Sequence, residues 1–157
     1  FYGDLIMLGR EDKKANDLFF TCSLIEYIAR KTKNKPSEIV VALGTQNIQK
    51  IYDLADVYHC DNIDDVSDSF IESCNIKKGD FDNVAECKYT IPTHWDIGKV
   101  YKRLSLMVSK EQNTNIVETL QNAYASFVSP LIEDYNSSFY YDNPQTIFQS
   151  YIDGKVY

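Results

Sequence analysis

The sequence predicts an all-α fold, a compact bundle of about seven helices. Apolar residues recur at spacings of three and four along most of the 157 residues, which is the period of an amphipathic helix. Capping residues, prolines and glycines separate these stretches, as they do where helices begin and end. We therefore expect a single helical domain over residues 1–157, with two halves, 1–74 and 93–157, joined by an irregular segment at 75–92.

The first predicted helix covers residues 15–33. Its apolar face consists of positions three and four apart, which are Leu18, Phe19, Cys22, Ile25, Ile28 and Ala29. A short second helix is expected to begin at Pro36, with Ser37 as its N-cap residue, and to end before Gly44.

A third helix is predicted at about 46–59 and a fourth at about 62–74, the latter capped by Asp61. Turn-forming residues then interrupt the helical pattern over residues 75–92. Within this segment, residues 87–91 have the composition of a short strand, which is the alternative to an irregular conformation there.

Thr93 begins the clearest helix of the chain. Asp96 stands three residues later, at the spacing of a capping box. The apolar face that follows comprises Ile97, Val100, Tyr101, Leu104, Met107 and Val108. Thr114 is expected to cap the next helix. Pro130 should kink that helix or end it near Ser129, because proline lacks an N–H and clashes with the preceding turn.

The last helix is predicted at 144–153. Asn143 is a good N-cap residue, Pro144 suits the first helical position, and Gly154 suits the residue after the end. Burial of the apolar faces is the main stabilising term for such helices. We expect a core that contains Leu18, Cys22, Ile25, Ile51, Ala55, Phe70, Val100, Leu104, Met107, Leu120 and Phe127.

Composition and charge exclude several classes of protein. Aromatic residues reach 13%, which is too many for a disordered chain. The net charge of −7 repels a phosphate backbone, so broad nucleic-acid binding is not expected. The best candidate for a local nucleic-acid-binding patch is small and consists of Lys99, Lys102 and Arg103. No apolar run approaches the roughly 18 residues of a membrane span, and residues 1–9 lack the basic leader of a signal peptide.

Cysteine and histidine are too scattered to predict a metal site. Zinc sites use ligand pairs that a local turn presents. Apart from Cys22, which lies on the apolar face of the first helix, the five candidate ligands are spread over residues 59–94: His59, Cys60, Cys74, Cys87 and His94. We predict no metal and no cofactor. No motif of a known nucleophile or phosphate-binding loop occurs either. Unclustered cysteines in a domain that needs no disulfide favour a reducing compartment, and we expect the cytoplasm.

Two segments stand out as candidate interaction surfaces. Trp95 opens the best-defined helix, and Asp96, Lys99 and Arg103 share one of its faces. This face is either a recognition surface or an exposed ladder of ion pairs. In the second case Trp95 packs against a neighbouring loop.

The second segment is the aromatic C-terminal arm, residues 135–157, which contains seven aromatic residues. Phe139, Tyr140 and Tyr141 are consecutive, so at least one of them must point away from the core. The arm either folds over the helices or binds a partner. We predict partner binding at Trp95, Asp96, Lys99, Arg103, Phe139, Tyr140 and Tyr141.

The similarity of this chain to a known family rests on three stretches of sequence. They are DLFFTCSLIEYIA from Asp17, PSEIV from Pro36 and IYDLADVYH from Ile51. Residues 17–74 resemble a family of small helical bacterial proteins of unknown function. Genes of that family often sit beside a gene for an ADP-ribosyltransferase-like toxin in Gram-positive bacteria. The resemblance implies an antitoxin-like or accessory role, and it offers no catalytic residue to carry over.

We therefore favour a non-enzymatic protein-interaction module, an antitoxin or accessory subunit of a toxin–antitoxin-like operon. One alternative is an enzyme or toxin with an active site near His94 and Asp96. Another is a phage or mobile-element regulator that acts through a protein partner. A protein partner is expected in the first and third cases, and association with a second copy of the chain stays open.

Overall fold

The computed structural model describes the backbone of residues 2–157 and the side chains from residue 12 onward. Over these residues the chain is all α, as predicted, with no strand. Residues 1–9, for which no signal peptide is predicted, lie outside the described side chains. Within the described chain, no helix combines the length and apolar character that crossing a membrane requires. The elements are α1 (Tyr2–Thr32), α2 (Pro36–Asp53), α3 (Ala55–His59), α4 (Ile63–Ser73), α5 (Asn83–Glu86), α6 (His94–Gln112), α7 (Ile116–Ala125), α8 (Val128–Glu133), a 3₁₀ turn (Phe139–Tyr141) and α9 (Pro144–Asp153).

Four helices form the centre of the fold. α1 packs against α6 and α2, and α7 closes the ring because it contacts both α6 and α2. The segments 1–74 and 93–157 therefore meet along the α1–α6 and α2–α7 contacts. The remaining helices flank this ring: α3 and α4 lie against α1, α9 lies against α6, and α8 lies against α7 and α9.

The close approach of α1 and α6 depends on Gly98. A Cβ atom at this position would lie 2.8 Å from the backbone nitrogen and Cα of Ser23. That distance is shorter than carbon atoms tolerate, and the atoms concerned belong to a helical backbone. Any larger residue would therefore push the two central helices apart.

The predicted end of the second helix is a sharp break in the structure. Gly44 has φ 75° and ψ 167°, a conformation that residues with a side chain rarely adopt, and helical geometry resumes after it within α2. The predicted third helix, 46–59, is itself divided between the second part of α2 and the short helix α3. Two predicted helices therefore correspond to two observed ones here, and the nine α-helices observed over residues 2–157 exceed the seven predicted because of α5 and α8.

Several predicted helix starts are correct and two are displaced by one residue, whereas the first helix begins at Tyr2 and not at residue 15. Thr93 and Asp96 form the expected capping box, and Asn143 caps α9 through a hydrogen bond from the Gln145 backbone N–H. The N-cap residue of α4 is Asn62 and not Asp61, and that of α7 is Asn115 and not Thr114. Each asparagine carbonyl oxygen accepts hydrogen bonds from two backbone N–H groups of the first turn, which have no partner within the helix.

The start of α2 and the segment between α4 and α6 also differ from the prediction. α2 begins directly at Pro36, so Lys35 and not Ser37 is its N-cap residue. Proline suits that first position because its missing N–H would have no partner there. Residues 87–91 form no strand in the described chain, and the segment contains the short helix α5 instead.

Pro130 neither kinks nor ends the helix in which it was predicted to lie. α7 already ends at Ala125, and Pro130 lies in the first turn of the new helix α8, where a missing N–H costs nothing. Phe127 falls in the break between these helices and is 42% exposed, so its predicted place in the core is wrong. Val100 and Met107 are only half-buried. The other predicted core residues are buried: Leu18, Cys22, Ile25, Ile51, Ala55, Phe70, Leu104 and Leu120.

Candidate functional site

Five of the seven residues predicted to bind a partner line one surface groove. The groove has a volume of about 480 Å³ and runs between the first half of α6 and the chain from the 3₁₀ turn to the start of α9. Ile91 and Pro92 complete its wall. We call it the interaction groove; the predicted residues in it are Asp96, Lys99, Arg103, Tyr140 and Tyr141.

Among the described side chains, the two cations of the groove are not paired with either of its two acidic residues, Asp96 and Asp142. The Asp96 carboxylate accepts the Thr93 backbone N–H at 2.8 Å and so completes the capping box. Among the side chains that the structure describes, neither Lys99 nor Arg103 forms an ion pair. The ladder of ion pairs that was the alternative interpretation is therefore not formed. The neighbouring Lys102 is half-buried, and burial together with the charges of Arg103 and Lys99 lowers its pKa.

The three consecutive aromatic residues have different environments. Phe139 is buried in the core of the chain itself. Tyr140 is half-buried, and its ring packs edge-to-face on Tyr141 with the centroids 5.0 Å apart. Tyr141 is 69% exposed, as expected of at least one of the three. The arm thus folds onto the helices through Phe139 and presents Tyr141 to solvent.

Trp95 lies away from the interaction groove. Its ring packs edge-to-face on Phe19 of α1 and on His59 of α3, with centroid distances of 5.4 and 5.9 Å. It therefore packs against helices and not against a neighbouring loop. With Asp56 and His59 it lines a separate, wider groove beside α1 and α3.

His94 and Asp96, the centre of the alternative active site, both lie in the first turn of α6. In the part of the chain with described side chains, no hydrogen bond joins them, and the buried Nε2 atom of His94 has no partner. Burial and the nearby positive charge of Arg30 lower the pKa of His94 to about 4. The imidazole is therefore neutral at physiological pH. Among residues 12–157, no group of three or more His, Cys, Asp or Glu residues is arranged to hold a metal ion.

A second polar site, which sequence reasoning missed, is buried beneath α8. Glu133 is 5% exposed and accepts hydrogen bonds from the Tyr101 and Tyr135 hydroxyl groups at 3.0 and 3.2 Å. The Tyr135 oxygen in turn accepts Arg30 Nη2 at 3.0 Å, while the Tyr101 hydroxyl lies 2.7 Å from Ser129 Oγ. These groups converge on one carboxylate from α1, α6, α8 and the chain that follows α8.

Glu26 of α1 belongs to the same site. It is 1% exposed, and its oxygens accept no hydrogen bond among the described residues, but with a proton it donates to Glu133. We call Glu26, Arg30, Tyr101, Glu133 and Tyr135 the carboxylate cluster. A buried carboxyl group that meets no donor is expected to keep its proton, and Glu133 is the acceptor of that proton here.

Burial raises the pKa of both carboxyl groups. The pKa of Glu26 stands well above its ordinary value of 4.5, because burial and the charge of Glu133 both penalise ionisation while Arg30 opposes them. Burial also raises the pKa of Glu133, but hydrogen bonds from Glu26, Tyr101 and Tyr135 and the charge of Arg30 oppose the shift. Glu133 therefore ionises before Glu26, which holds its proton to higher pH.

A pocket opens beside the carboxylate cluster. It has a volume of about 420 Å³, and Tyr124, Tyr135 and Phe81 form its aromatic walls. Glu133 and Tyr135 also line a much smaller cavity that extends inward to Glu26 and Arg30. We call the larger space the acidic pocket, because its charged lining consists of Glu86, Glu133 and Asp134 against the single cation Lys35.

The sequence does contain a signal for this site. Glu26 lies four residues after Cys22 and so falls on the apolar face of the first predicted helix. A carboxylate in such a position must find a buried partner or keep its proton. No spacing in the sequence, however, pairs Glu26 with Glu133, which is more than a hundred residues away.

Comparison of the chain with models of protein families, with curated proteins and with solved structures finds no match. The resemblance of residues 17–74 to a family of helical bacterial proteins therefore stays a prediction.

Proposed function

We propose that the chain is a protein-interaction module and that the interaction groove is its binding site. The observation that supports this most directly is the convergence of Lys99 and Arg103 with Tyr140 and Tyr141, which are about forty residues further along the chain. Arg and Tyr are the residue types that most often anchor protein interfaces.

The chemistry of the groove favours a particular partner. Lys99 and Arg103 have no ion pair among the described side chains, whereas the two acidic residues of the groove, Asp96 and Asp142, each accept a backbone N–H. Tyr141 adds an exposed aromatic surface beside them. We infer that the partner is a polypeptide segment with carboxylates for the two cations and an apolar side chain for the aromatic rings.

The proposal is tested by photo-crosslinking in the native host. A photoreactive phenylalanine replaces Tyr141, and the control carries the same residue at Val41, an apolar position on α2 that is 81% exposed. We expect a discrete crosslinked protein at position 141 and none at position 41. The same products at both positions, or none at 141, would contradict the proposal.

Charge reversal then tests the specificity of the purified pair. Lys99→Glu combined with Arg103→Glu should weaken binding at least tenfold, since both ion pairs with the partner become repulsive. Lys77→Glu combined with Lys78→Glu changes the net charge equally on an exposed loop and should leave binding unchanged. Equal losses in the two double variants would indicate general electrostatics and not the groove.

A single aromatic substitution separates binding from folding. Phe139 is buried, so replacing it would damage the fold as well as any interface. Tyr141→Ser removes an exposed ring, and we expect it to weaken association by about 2 kcal/mol if the ring is an anchor. The melting temperature of the isolated chain should not change. Unchanged affinity would remove Tyr141 from the proposed interface.

The antitoxin-like or accessory role is the finer form of this proposal, and the resemblance alone supports it. Co-expression with the product of the adjacent gene tests it: the chain should relieve growth inhibition, and the Lys99→Glu, Arg103→Glu variant should not. Failure of both to relieve inhibition would count against the antitoxin role but not against the groove.

A further inference from the structure

The carboxylate cluster places a buried negative charge beside the acidic pocket. Glu26 is buried next to Glu133, and its proton forms a hydrogen bond with that carboxylate. Glu133 carries a negative charge that Arg30 reaches only through the Tyr135 hydroxyl group. Since one arginine faces two carboxyl groups, the cluster is neutral only while one of them keeps a proton.

The acidic pocket adds further carboxylates to the charge of Glu133. Glu86 and Asp134 stand with Glu133 in its lining, and Lys35 is the only cation there. A low-dielectric recess lined mainly by one sign of charge attracts ligands of the opposite sign. The lining of the pocket therefore favours a cationic ligand.

The walls favour an organic cation over a metal ion. Phe81, Tyr124 and Tyr135 provide aromatic surface. The Arg30 guanidinium already makes a cation–π contact with the Tyr135 ring, 5.3 Å from its centroid. No group of three metal-ligating side chains occurs in the described chain. The volume of about 420 Å³ lies within the range of small-molecule sites.

We propose that the acidic pocket binds a small organic cation, an ammonium, amidinium or guanidinium compound, whose charged group lies against Glu133 and whose apolar part packs on the aromatic walls. A buried water molecule could satisfy the oxygens of Glu26. Water would not balance the charge of the lining, nor would it require aromatic walls. The site shares no residue with the interaction groove, so it is independent of the proposed function.

Matched pairs of cations and neutral analogues test this proposal. Benzamidine and benzamide have nearly the same shape, and only benzamidine is charged. Agmatine and N-butylacetamide form a second pair with a flexible chain. Binding is measured by titration calorimetry and by NMR shifts of the full chain. We expect at least one cation to bind tenfold more tightly than its neutral analogue. If no cation exceeds its analogue, the proposal is overturned.

Variants locate the binding site. Glu133→Gln should reduce the affinity for the cation at least tenfold, and Asp134→Asn, at the exposed rim, should reduce it by a smaller factor without affecting the fold. Glu111→Gln removes an exposed carboxylate of α6 and serves as the matched control. If Glu133→Gln fails to fold, Asp134→Asn together with Glu86→Gln provides the test. Binding that is equal in the rim variants and the control would assign the cation to some other surface and overturn the proposal.

Discussion

Replacing Glu26 with Gln should make the chain more resistant to unfolding at neutral and alkaline pH. The pKa of Glu26 in the folded chain stands well above 4.5, chiefly because the carboxyl group is buried and secondly because Glu133 is negatively charged. In the unfolded chain the same group ionises at its ordinary pKa. The folded state therefore holds the proton over a pH range in which the unfolded state has released it.

The sign of the effect follows from this difference. The stabilising contribution of the protonated Glu26 is complete below pH 4.5 and is lost as the pH rises towards the pKa of the folded state. For one proton, the free energy of unfolding falls by at most about 1.4 kcal/mol for each pH unit. Between pH 5 and 7 the wild type should lose up to about 2.7 kcal/mol that Glu26→Gln does not lose.

Urea denaturation at half-unit steps from pH 4.5 to 8 measures the effect. Glu133 titrates close by, so the difference between wild type and variant reports Glu26 together with its coupling to Glu133. Glu111→Gln, an exposed change of the same chemistry, should follow the wild-type profile. Parallel profiles for wild type and Glu26→Gln would show that the buried carboxyl group is either hydrated or paired in solution, and would refute the reasoning.

Three further predictions concern packing and metal content. Leu104→Ala should lower the free energy of unfolding by about 2–5 kcal/mol, because Leu104 is buried in the middle of α6; an unchanged denaturation midpoint would contradict this. Gly98→Ala should lower the free energy of unfolding by about 1–3 kcal/mol or more in the same assay, since its Cβ atom would meet the Ser23 backbone. An unchanged free energy of unfolding would contradict the close approach of α1 and α6. The purified chain should contain no stoichiometric zinc by elemental analysis, since its histidines and cysteines do not preorganise a tetrahedral site; about one zinc per chain would overturn this.

Local signals in the sequence were sufficient for much of the secondary structure. The capping box of Thr93 and Asp96 and the limits of the last helix at Pro144 and Asp153 depend on contacts within one turn, so a few neighbouring residues decide them. The break at Gly44 is local for the same reason, because it depends on the conformational freedom of a single residue.

The burial of particular side chains was less predictable. Phe127 continues the apolar spacing of its helix, but the chain breaks before it at Ser126 and turns the ring towards solvent. Spacing predicts burial only while the helix continues. Val100 lies on the predicted face of α6 and is half-buried because it borders the interaction groove.

The candidate sites depended most on tertiary structure. By itself the sequence identified Lys99, Arg103, Tyr140 and Tyr141 as interaction candidates, from their residue types and from the spacing along one helix. Only the fold decided that these four residues line one groove and that Trp95 does not.

The carboxylate cluster could not be predicted from the sequence, for a related reason. Glu26 and Glu133 are far apart in the chain, and their pKa values arise from burial and mutual repulsion. Both causes depend on which helices pack together, because local spacing constrains distances over only a few residues. The all-α class and helix limits such as Thr93 and Pro144 are therefore properties of short stretches of sequence, whereas the charge and the shape of the sites are properties of the packed chain.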